Sequence, residues 1–216
     1  MQLQLGKRKE EIPAGSHLCH IYNKADEAVQ LAASLFVGAL DTRCRCMYLG
    51  SSATLASTRE SLAKSGVSVD DLEQSGQFLF TDQRELFVQN NRFDPYHLIS
   101  QHMTFIHQSN RDGWNGSHVG LDMSWLIEGL ASNAQLLKYE AMCDAVFTFQ
   151  HHQIAAIAQY KFDRIGLDMQ IEMDKLHPLS LVGPHWRRNP KYVNSEQYFM
   201  NILRATRSRA AGVPGS

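Results

Sequence analysis

The stretch that decides the fold is GSHLCHIYNKADEAVQLAASLFVGAL, residues 15–40. Residues 17–22 form a short apolar run after Gly15 and Ser16, which is typical of a buried strand. In residues 27–40 apolar side chains recur at steps of three and four, which predicts an amphipathic helix. Asp26 is placed to cap that helix. The chain therefore opens with one strand followed by one helix.

The same unit recurs along the chain. Apolar runs predict strands at residues 17–22, 44–50, 77–82, 118–125, 154–160 and 177–183. Helical patterns alternate with them, at residues 27–40, in a segment ending at 64, and at 95–108, 126–148, 162–173 and 194–210. Several strands are apolar on both faces, as expected when helices cover both sides of a parallel sheet. The sequence therefore predicts an α/β fold, with a mostly parallel sheet and helices on both faces.

Length and composition set the domain organisation. The 216 residues, 44% of them hydrophobic, suffice for one large domain with a core of its own. We expect an N-terminal arm at 1–14, the domain at 15–193, and a C-terminal helix with a flexible tail at 194–216. The formal net charge of -1 argues against a nucleic-acid binder that works by bulk charge.

Further sequence features indicate the cellular compartment in which the protein is expected. No apolar run approaches the ~20 residues of a membrane span, and the basic start has no apolar stretch behind it. The four cysteines are too few and too scattered for a disulfide framework. We therefore expect a cytoplasmic protein with reduced thiols and no membrane partner.

Several catalytic and nucleotide-binding motifs are missing from the sequence. The loop after the first strand is Asn23-Lys24-Ala25-Asp26, which has none of the glycines of a phosphate-binding loop. No strand is followed by GxGxxG, and neither GxSxG nor HExxH occurs. These absences argue against ATP hydrolysis, dinucleotide binding and serine-hydrolase chemistry, and we expect a protein that is not an enzyme.

The carboxyl ends of the predicted strands mark the place for a ligand, since parallel α/β sheets bind ligands beyond those ends. Asp122 closes the fourth strand, and in a nucleotide enzyme an acid there would hold magnesium. Without a phosphate-binding loop, Asp122 would instead cap the next helix or hydrogen-bond a ligand. Trp125 would either line a pocket or lie in the core.

A second set of residues suggests metal or redox chemistry. Cys19, Cys44 and Cys46 would lie close together, with His17 near them, if the first two strands were neighbours. Two thiols and an imidazole can hold a soft metal ion, but free cysteines are also common core residues. Glu140 is expected to pair with a basic neighbour at the surface, where such pairs contribute little. His177 is expected to be a structural histidine.

The chain resembles one known family. Its opening motif, Gly15 to Tyr22 followed by Glu27, is similar to that of the MEDS domain, the methanogen/methylotroph sensory domain of dichloromethane-operon regulators. Further similar segments follow in order at residues 36–40, 46–49, 76–78, 92–95, 122–125, 139–140, 177–178 and 189–192. The resemblance implies a RecA/KaiC-like α/β core that lacks a working phosphate-binding loop. It also implies a sensory role toward small hydrocarbon derivatives.

The resemblance leads to a hypothesis for function. We expect a non-catalytic sensor that binds a small molecule at the carboxyl edge of the sheet. The residues expected to contact that ligand are His17, Cys19, Tyr22 and Glu27, with Asp122, Trp125 and Tyr160 opposite them. The cofactor is unknown, and no nucleotide is expected. The helix at 194–210 would relay the signal to a histidine kinase, a transcription regulator or the second copy of a homodimer.

Two alternatives stay open at this point. One is a redox or metal sensor that uses Cys19, Cys44 and Cys46, and it requires accessible thiols with a depressed pKa or a stoichiometric metal. The other is a ligand-free protein that acts only through protein–protein contact.

Overall fold

A computed structural model of the chain describes residues 2–5, 8–11, 14–82, 93–124, 131–148, 153–182 and 185–210. Its strands are β1 (Gln2–Leu5), β2 (Arg8–Glu11), β3 (Ser16–Tyr22), β4 (Arg45–Gly50), β5 (Phe78–Asp82), β6 (Gly116–Asp122), β7 (Gln153–Lys161), β8 (Leu179–Val182) and β9 (His185–Arg188). Its helices are α1 (Ala25–Leu40), α2 (Ser52–Lys64), α3 (Val69–Gln74), α4 (Pro95–Arg111), α5 (Asn133–Thr148), α6 (Leu167–Lys175) and α7 (Ser195–Ala210).

One seven-stranded sheet organises the described residues, in the order β5-β4-β6-β7-β3-β8-β9. Its neighbouring strands are parallel except for β9, which runs antiparallel to β8. The predicted mostly parallel sheet is therefore confirmed. Since parallel strands share a direction, the ends of β3, β4, β5, β6 and β7 meet at one edge, where Asp122 is in register with Gln159. We call this the carboxyl edge.

The two faces of the sheet carry separate cores. Leu18 packs with α1 and α2 residues such as Phe36 and Leu62. The next residue of β3, Cys19, packs with α4 and α5 residues such as Ile106 and Tyr139. Successive side chains of a strand point to opposite faces, so one strand supplies both cores. Helices thus cover both faces, as the sequence predicts.

Gly120 lets β6 pass beneath two aromatic rings of the α1 face. A Cβ at this position would lie 2.7 Å from Tyr48 Cδ2 and 2.9 Å from Phe36 Cζ. Those rings meet edge to face, with centroids 5.5 Å apart. Only glycine leaves room for this packing.

Some elements differ from the prediction. Helix α5 begins at Asn133, and residues 126–130 of the predicted 126–148 helix lie outside the described residues. The predicted helix at 162–173 is a short 3₁₀ turn at Phe162–Arg164 followed by α6, because Gly166 interrupts the pattern as the N-cap of α6. The predicted loose arm at 1–14 contains the antiparallel β1–β2 pair. Within the described part of the chain, no helix combines the length and hydropathy that a membrane span needs.

Candidate functional site

The fold divides the predicted ligand residues into two groups on opposite faces of the sheet. Tyr22 and Asp122 lie at the carboxyl edge, on the face covered by α1 and α2. His17 and Cys19 point to the other face, beneath α5, because they alternate with Leu18. Trp125 lies outside the described residues. The predicted single site is therefore two clusters.

The first group, which we call the edge cluster, consists of Tyr22, Thr54, Asp122 and Ser124. Asp122 Oδ1 accepts hydrogen bonds from the Tyr22 hydroxyl (3.2 Å) and the Ser124 backbone amide (3.1 Å). Its Oδ2 accepts from Thr54 Oγ1 at 2.7 Å. Burial, together with the Asp122 charge, raises the pKa of Tyr22. Three donors therefore hold this buried carboxylate in one orientation.

Helix α2 brings hydroxyl groups to the same edge. Ser51 is its N-cap, and the Ser51 hydroxyl accepts a hydrogen bond from the Thr54 amide at 3.1 Å. In the first turn, Ser52 Oγ donates to Asp82 Oδ2 at the end of β5 (2.5 Å). The start of α2 thus links the ends of β5 and β6 through their terminal carboxylates.

Glu27 occupies the N-terminus of α1. Its Oε2 accepts hydrogen bonds from the backbone amides of Asn23 (3.0 Å) and Lys24 (3.4 Å), which lower the pKa of Glu27. Lys24 is the N-cap residue, so the predicted capping role of Asp26 is wrong. The helix begins earlier than the apolar pattern indicates, and the Glu27 carboxylate accepts from the N-cap amide and from the amide before it. A carboxylate therefore already lies at the helix end where anions bind.

Gln159 lies directly behind the edge cluster. The buried Gln159 amide oxygen accepts from the Tyr48 hydroxyl at 2.8 Å. Its amide nitrogen donates to the Ala28 carbonyl (2.9 Å) and lies 3.1 Å from His20 Nδ1. An amide nitrogen only donates, so Nδ1 of His20 is the acceptor. Burial lowers the pKa of His20 to about 4.

The second group, which we call the buried cluster, consists of His17, Glu140, Tyr160 and His177. Glu140 Oε2 lies 3.1 Å from Nε2 of both His17 and His177. The Tyr160 hydroxyl donates to Glu140 Oε1. His177 Nδ1 lies 2.7 Å from the Met173 carbonyl oxygen. Three histidine and glutamate side chains that are essentially without solvent contact thus converge beneath α5.

The hydrogen bonds decide the charges in the buried cluster. Burial alone would raise the pKa of Glu140, but hydrogen bonds from His17 and His177 outweigh it and lower that pKa. Burial alone would lower the pKa of His177, and the hydrogen bond to Glu140 raises it. Since a carbonyl oxygen only accepts, His177 Nδ1 carries a proton. For His17, burial and the neighbouring His177 lower the pKa.

Two members of the buried cluster were not predicted as site residues. Glu140, expected at the surface, is fully buried. His177, expected to be a structural histidine, is buried and bonded to Glu140 and to the Met173 carbonyl oxygen, which agrees with that expectation. One signal was present in the sequence: Leu136, Leu137 and Cys143 stand three or four positions from Glu140. A glutamate in the middle of an apolar helix face needs a partner in the core.

The three cysteines of the metal or redox alternative do not meet. Strands β3 and β4 are separated by β6 and β7, so the first two predicted strands are not neighbours. Cys19 lies in one core, while Cys44 and Cys46 lie in the other. Burial raises the pKa of Cys19 and Cys46, the opposite of what a reactive thiol requires. The Cys19–Cys44–Cys46 metal set is therefore wrong.

A comparison with models of known families identifies the family of the chain. The model of the MEthanogen/methylotroph, DcmR Sensory domain (MEDS) matches residues 16–178. The chain belongs to the MEDS family. No curated protein matches this MEDS chain.

Solved structures share the fold of the MEDS chain. The flagellar accessory protein FlaH from Methanocaldococcus jannaschii is similar with a TM-score of 0.58 and 15% sequence identity, over 84% of this chain and 78% of that chain. The KaiC-like protein PH0186 from Pyrococcus horikoshii OT3 has a TM-score of 0.55 and 9% identity, over 79% of this chain and 72% of that chain. The RecA/KaiC-like architecture that the resemblance implies is therefore confirmed. At these identities the likeness concerns the fold alone.

Proposed function

We propose that this MEDS domain is a sensor that binds a small molecule at the edge cluster and signals the bound state to a partner protein. The observation that carries the proposal is the convergence of Tyr22, Thr54 and Asp122 at the carboxyl edge. This edge is where open α/β sheets bind their ligands. Sensing of this kind requires binding and a conformational response, and the proposal includes no catalytic step.

The hydrogen-bond directions favour one ligand chemistry. The Tyr22 and Thr54 hydroxyls both donate to Asp122, and Thr54 Oγ1 in turn accepts from the Ser51 hydroxyl at 2.9 Å. The Tyr22 and Thr54 oxygens therefore offer a ligand lone pairs and no proton. A ligand that donates a hydrogen bond, such as an alcohol or an amine, complements such acceptors. The family description names methanogens and methylotrophs. One-carbon alcohols and amines are therefore suitable probes.

The N-terminus of α1 argues against a nucleotide as the ligand. The amides of Asn23 and Lys24 are already hydrogen-bonded to the Glu27 carboxylate. A phosphate at this position would have to displace Glu27 and would meet its negative charge. The Glu27 carboxylate at this position therefore supports a ligand other than a nucleotide.

A connection from α5 to α7 supports the relay, because α5 also contacts β3 and β7 through Glu140. The Tyr192 hydroxyl, at 2.9 and 3.0 Å, and the Ser195 amide, at 3.0 Å, donate to the Asp144 carboxylate of α5. Further along α7, three large apolar side chains are exposed: Met200, Ile202 and Leu203. We assign these three side chains to the partner surface, for a histidine kinase, a transcription regulator or a second copy. A ligand drives such a relay only if it binds one arrangement better than the other.

Hydrogen exchange tests this proposal with four separate probes: methanol, methylammonium chloride, dichloromethane and Mg·ATP. We expect one of the one-carbon probes to slow amide exchange at residues 22–27 and 122–124 and to change it at 195–204. Tyr22→Phe removes one hydrogen-bond donor to Asp122. It should raise the dissociation constant of that probe about tenfold. The exposed Tyr96 is the matched control, and Tyr96→Phe should leave binding unchanged.

Two results would contradict the proposal. Slower exchange at residues 22–27 with Mg·ATP alone would identify a nucleotide site. Unchanged exchange with all four probes would leave a ligand-free interaction module, in which the exposed face of α7 acts without a ligand.

A further inference from the structure

The buried cluster has the donor set and the spacing of a metal site. One ring nitrogen of His17, one ring nitrogen of His177 and a Glu140 carboxylate oxygen all lie within 4.8 Å of one another. Each of the two nitrogens is 3.1 Å from Glu140 Oε2. Tetrahedral ligands with bonds of about 2.1 Å lie about 3.4 Å apart. The two nitrogen–oxygen distances therefore need a change of only a few tenths of an ångström to match a bound ion, and the two histidine nitrogens lie within 4.8 Å of each other.

Two of these groups already have outer hydrogen-bond partners that hold their orientation. His177 directs Nδ1 at the Met173 carbonyl oxygen (2.7 Å), which leaves Nε2 to face Glu140. The Tyr160 hydroxyl donates to the carboxylate oxygen Oε1. A backbone carbonyl behind a histidine and a hydroxyl behind a carboxylate are the outer partners that orient metal ligands.

The cluster is incomplete when only protein atoms are counted. Among the described residues, the fully buried Nδ1 of His17 has no hydrogen-bond partner. Both histidines also direct Nε2 at the same Glu140 oxygen. An ion among the three groups would separate the two Nε2 atoms that converge on one oxygen, whereas the orphaned Nδ1 calls for a separate buried partner such as water.

We propose that His17, Glu140 and His177 bind one divalent transition-metal ion beneath α5, on the face of the sheet opposite the edge cluster. The proposal goes beyond small-molecule sensing, because it shares no ligand residue with the edge cluster. Either of the two sites can fail without the other.

The donor chemistry narrows the choice of ion. Two imidazole nitrogens and one carboxylate oxygen suit zinc and ferrous iron, while calcium and magnesium prefer oxygen ligands alone. Among the described residues no cysteine or further acidic or histidine side chain joins these three ligands, so water is the expected source of the remaining coordination. A cobalt-substituted protein tests this, because a thiolate ligand would add a charge-transfer absorption band.

The complete burial of the three ligand side chains means that an ion binds as the chain folds. The three ligands come from β3, from α5 and from the segment before β8, so they meet only when the chain folds. A metal that needs three such elements adds its binding free energy to folding. The ion is therefore best supplied during refolding.

The test unfolds the full chain in guanidinium chloride with a chelator and refolds it with Zn²⁺, with Co²⁺ or with the chelator. After dialysis, elemental analysis should find about one ion per chain, and the unfolding midpoint should rise relative to the chelator sample. Cobalt should also give the visible absorption of a low-coordinate site with nitrogen and oxygen ligands. These wild-type measurements do not depend on whether any variant folds.

Matched variants locate the ion. Glu140→Gln and His177→Gln should lower the metal content at least tenfold, with folding checked by circular dichroism. His102, a buried histidine bonded to Tyr139, is the control, and His102→Gln should retain the ion. A wild-type chain that refolds without retaining metal would overturn the proposal. Equal metal content in the wild type and the Glu140→Gln chain would overturn it too.

Discussion

The pKa values of the buried histidines shift in different directions because the surroundings of these side chains differ. His177 faces the Glu140 carboxylate, which raises its pKa against the effect of burial. Burial instead lowers the pKa of His20 to about 4 and that of His102 to about 3, and each of these side chains faces a neutral partner, Gln159 or Tyr139. Residue type alone therefore says little about the protonation state.

His20 should make the fold sensitive to acid. Its pKa of about 4 lies below the ordinary histidine value of about 6.5, so the unfolded chain binds the proton more tightly. The stability contributed by neutral His20 is complete above about pH 6.5 and falls until about pH 4. Between pH 7.5 and pH 5 the wild type should lose about 2 kcal/mol more than His20→Asn, whose side-chain oxygen still accepts from Gln159.

Urea unfolding at both pH values measures this difference. The exposed His107 provides the control, and His107→Asn should follow the wild type. Equal acid sensitivity of the wild type and His20→Asn would contradict the lowered pKa of His20.

The substitution Gly120→Ala tests the packing around β6 by adding a single methyl group. Gly120→Ala forces the new Cβ into contact with Tyr48 and Phe36 and should cost about 1–3 kcal/mol of unfolding free energy. The control is Gly166→Ala, since nothing lies within 4 Å of the added carbon there. Its cost, limited to the N-cap preference for glycine over alanine, should stay below about 1 kcal/mol. Equal costs in denaturant titrations would contradict the packing described for β6.

Helix α5 connects the sheet to α7 through buried polar side chains, which its apolar sequence pattern does not indicate. Its Glu140 reaches β3 through His17 and β7 through Tyr160, and its Asp144 reaches the start of α7. Glu140 and Asp144 are therefore buried connections rather than parts of a solvated face. The apolar pattern along 126–148 predicted the helix but not this role.

Asp144 should hold α7 against the rest of the fold. Asp144→Ala leaves the Tyr192 hydroxyl and the Ser195 amide without their acceptor, at a cost of about 1–3 kcal/mol. Hydrogen exchange of residues 195–204 should accelerate more than that of the sheet. Asp144→Asn retains an acceptor oxygen and should give a smaller effect. Uniform acceleration in both variants would mean that α7 is held by its apolar contacts instead.

At the scale of the whole molecule, the sheet separates two cores that share one backbone. Ile106 of α4 belongs to one core and Ile157 of β7 to the other. Each Ile→Val change should cost about 0.5–1.5 kcal/mol. Because the two side chains have no common neighbours, the double variant should equal the sum of the single costs within about 0.5 kcal/mol. Thermal and urea unfolding of the wild type, the two single variants and the double variant measures these costs. A larger departure from the sum would show coupling through the sheet.

Much of the fold followed from local pattern. Residues 17–22 and 27–40 predicted β3 and α1, and comparable runs predicted five further strands of the sheet. Strand β9 and helix α3 were not predicted, since His185–Arg188 is polar and Val69–Gln74 is shorter than two turns. Short or edge elements carry little periodic signal because few of their side chains enter the core.

The sequence by itself determined the alternation of strands and helices, the family of the chain and the polar residues at the strand ends. Only the tertiary structure decided which of these residues meet. Strand order separated Cys19 from Cys44 and Cys46, and packing of α5 brought Glu140 to His17 and His177. The physical reason is range: periodicity acts over a few residues, whereas strand order and helix packing depend on how all the apolar faces are buried together.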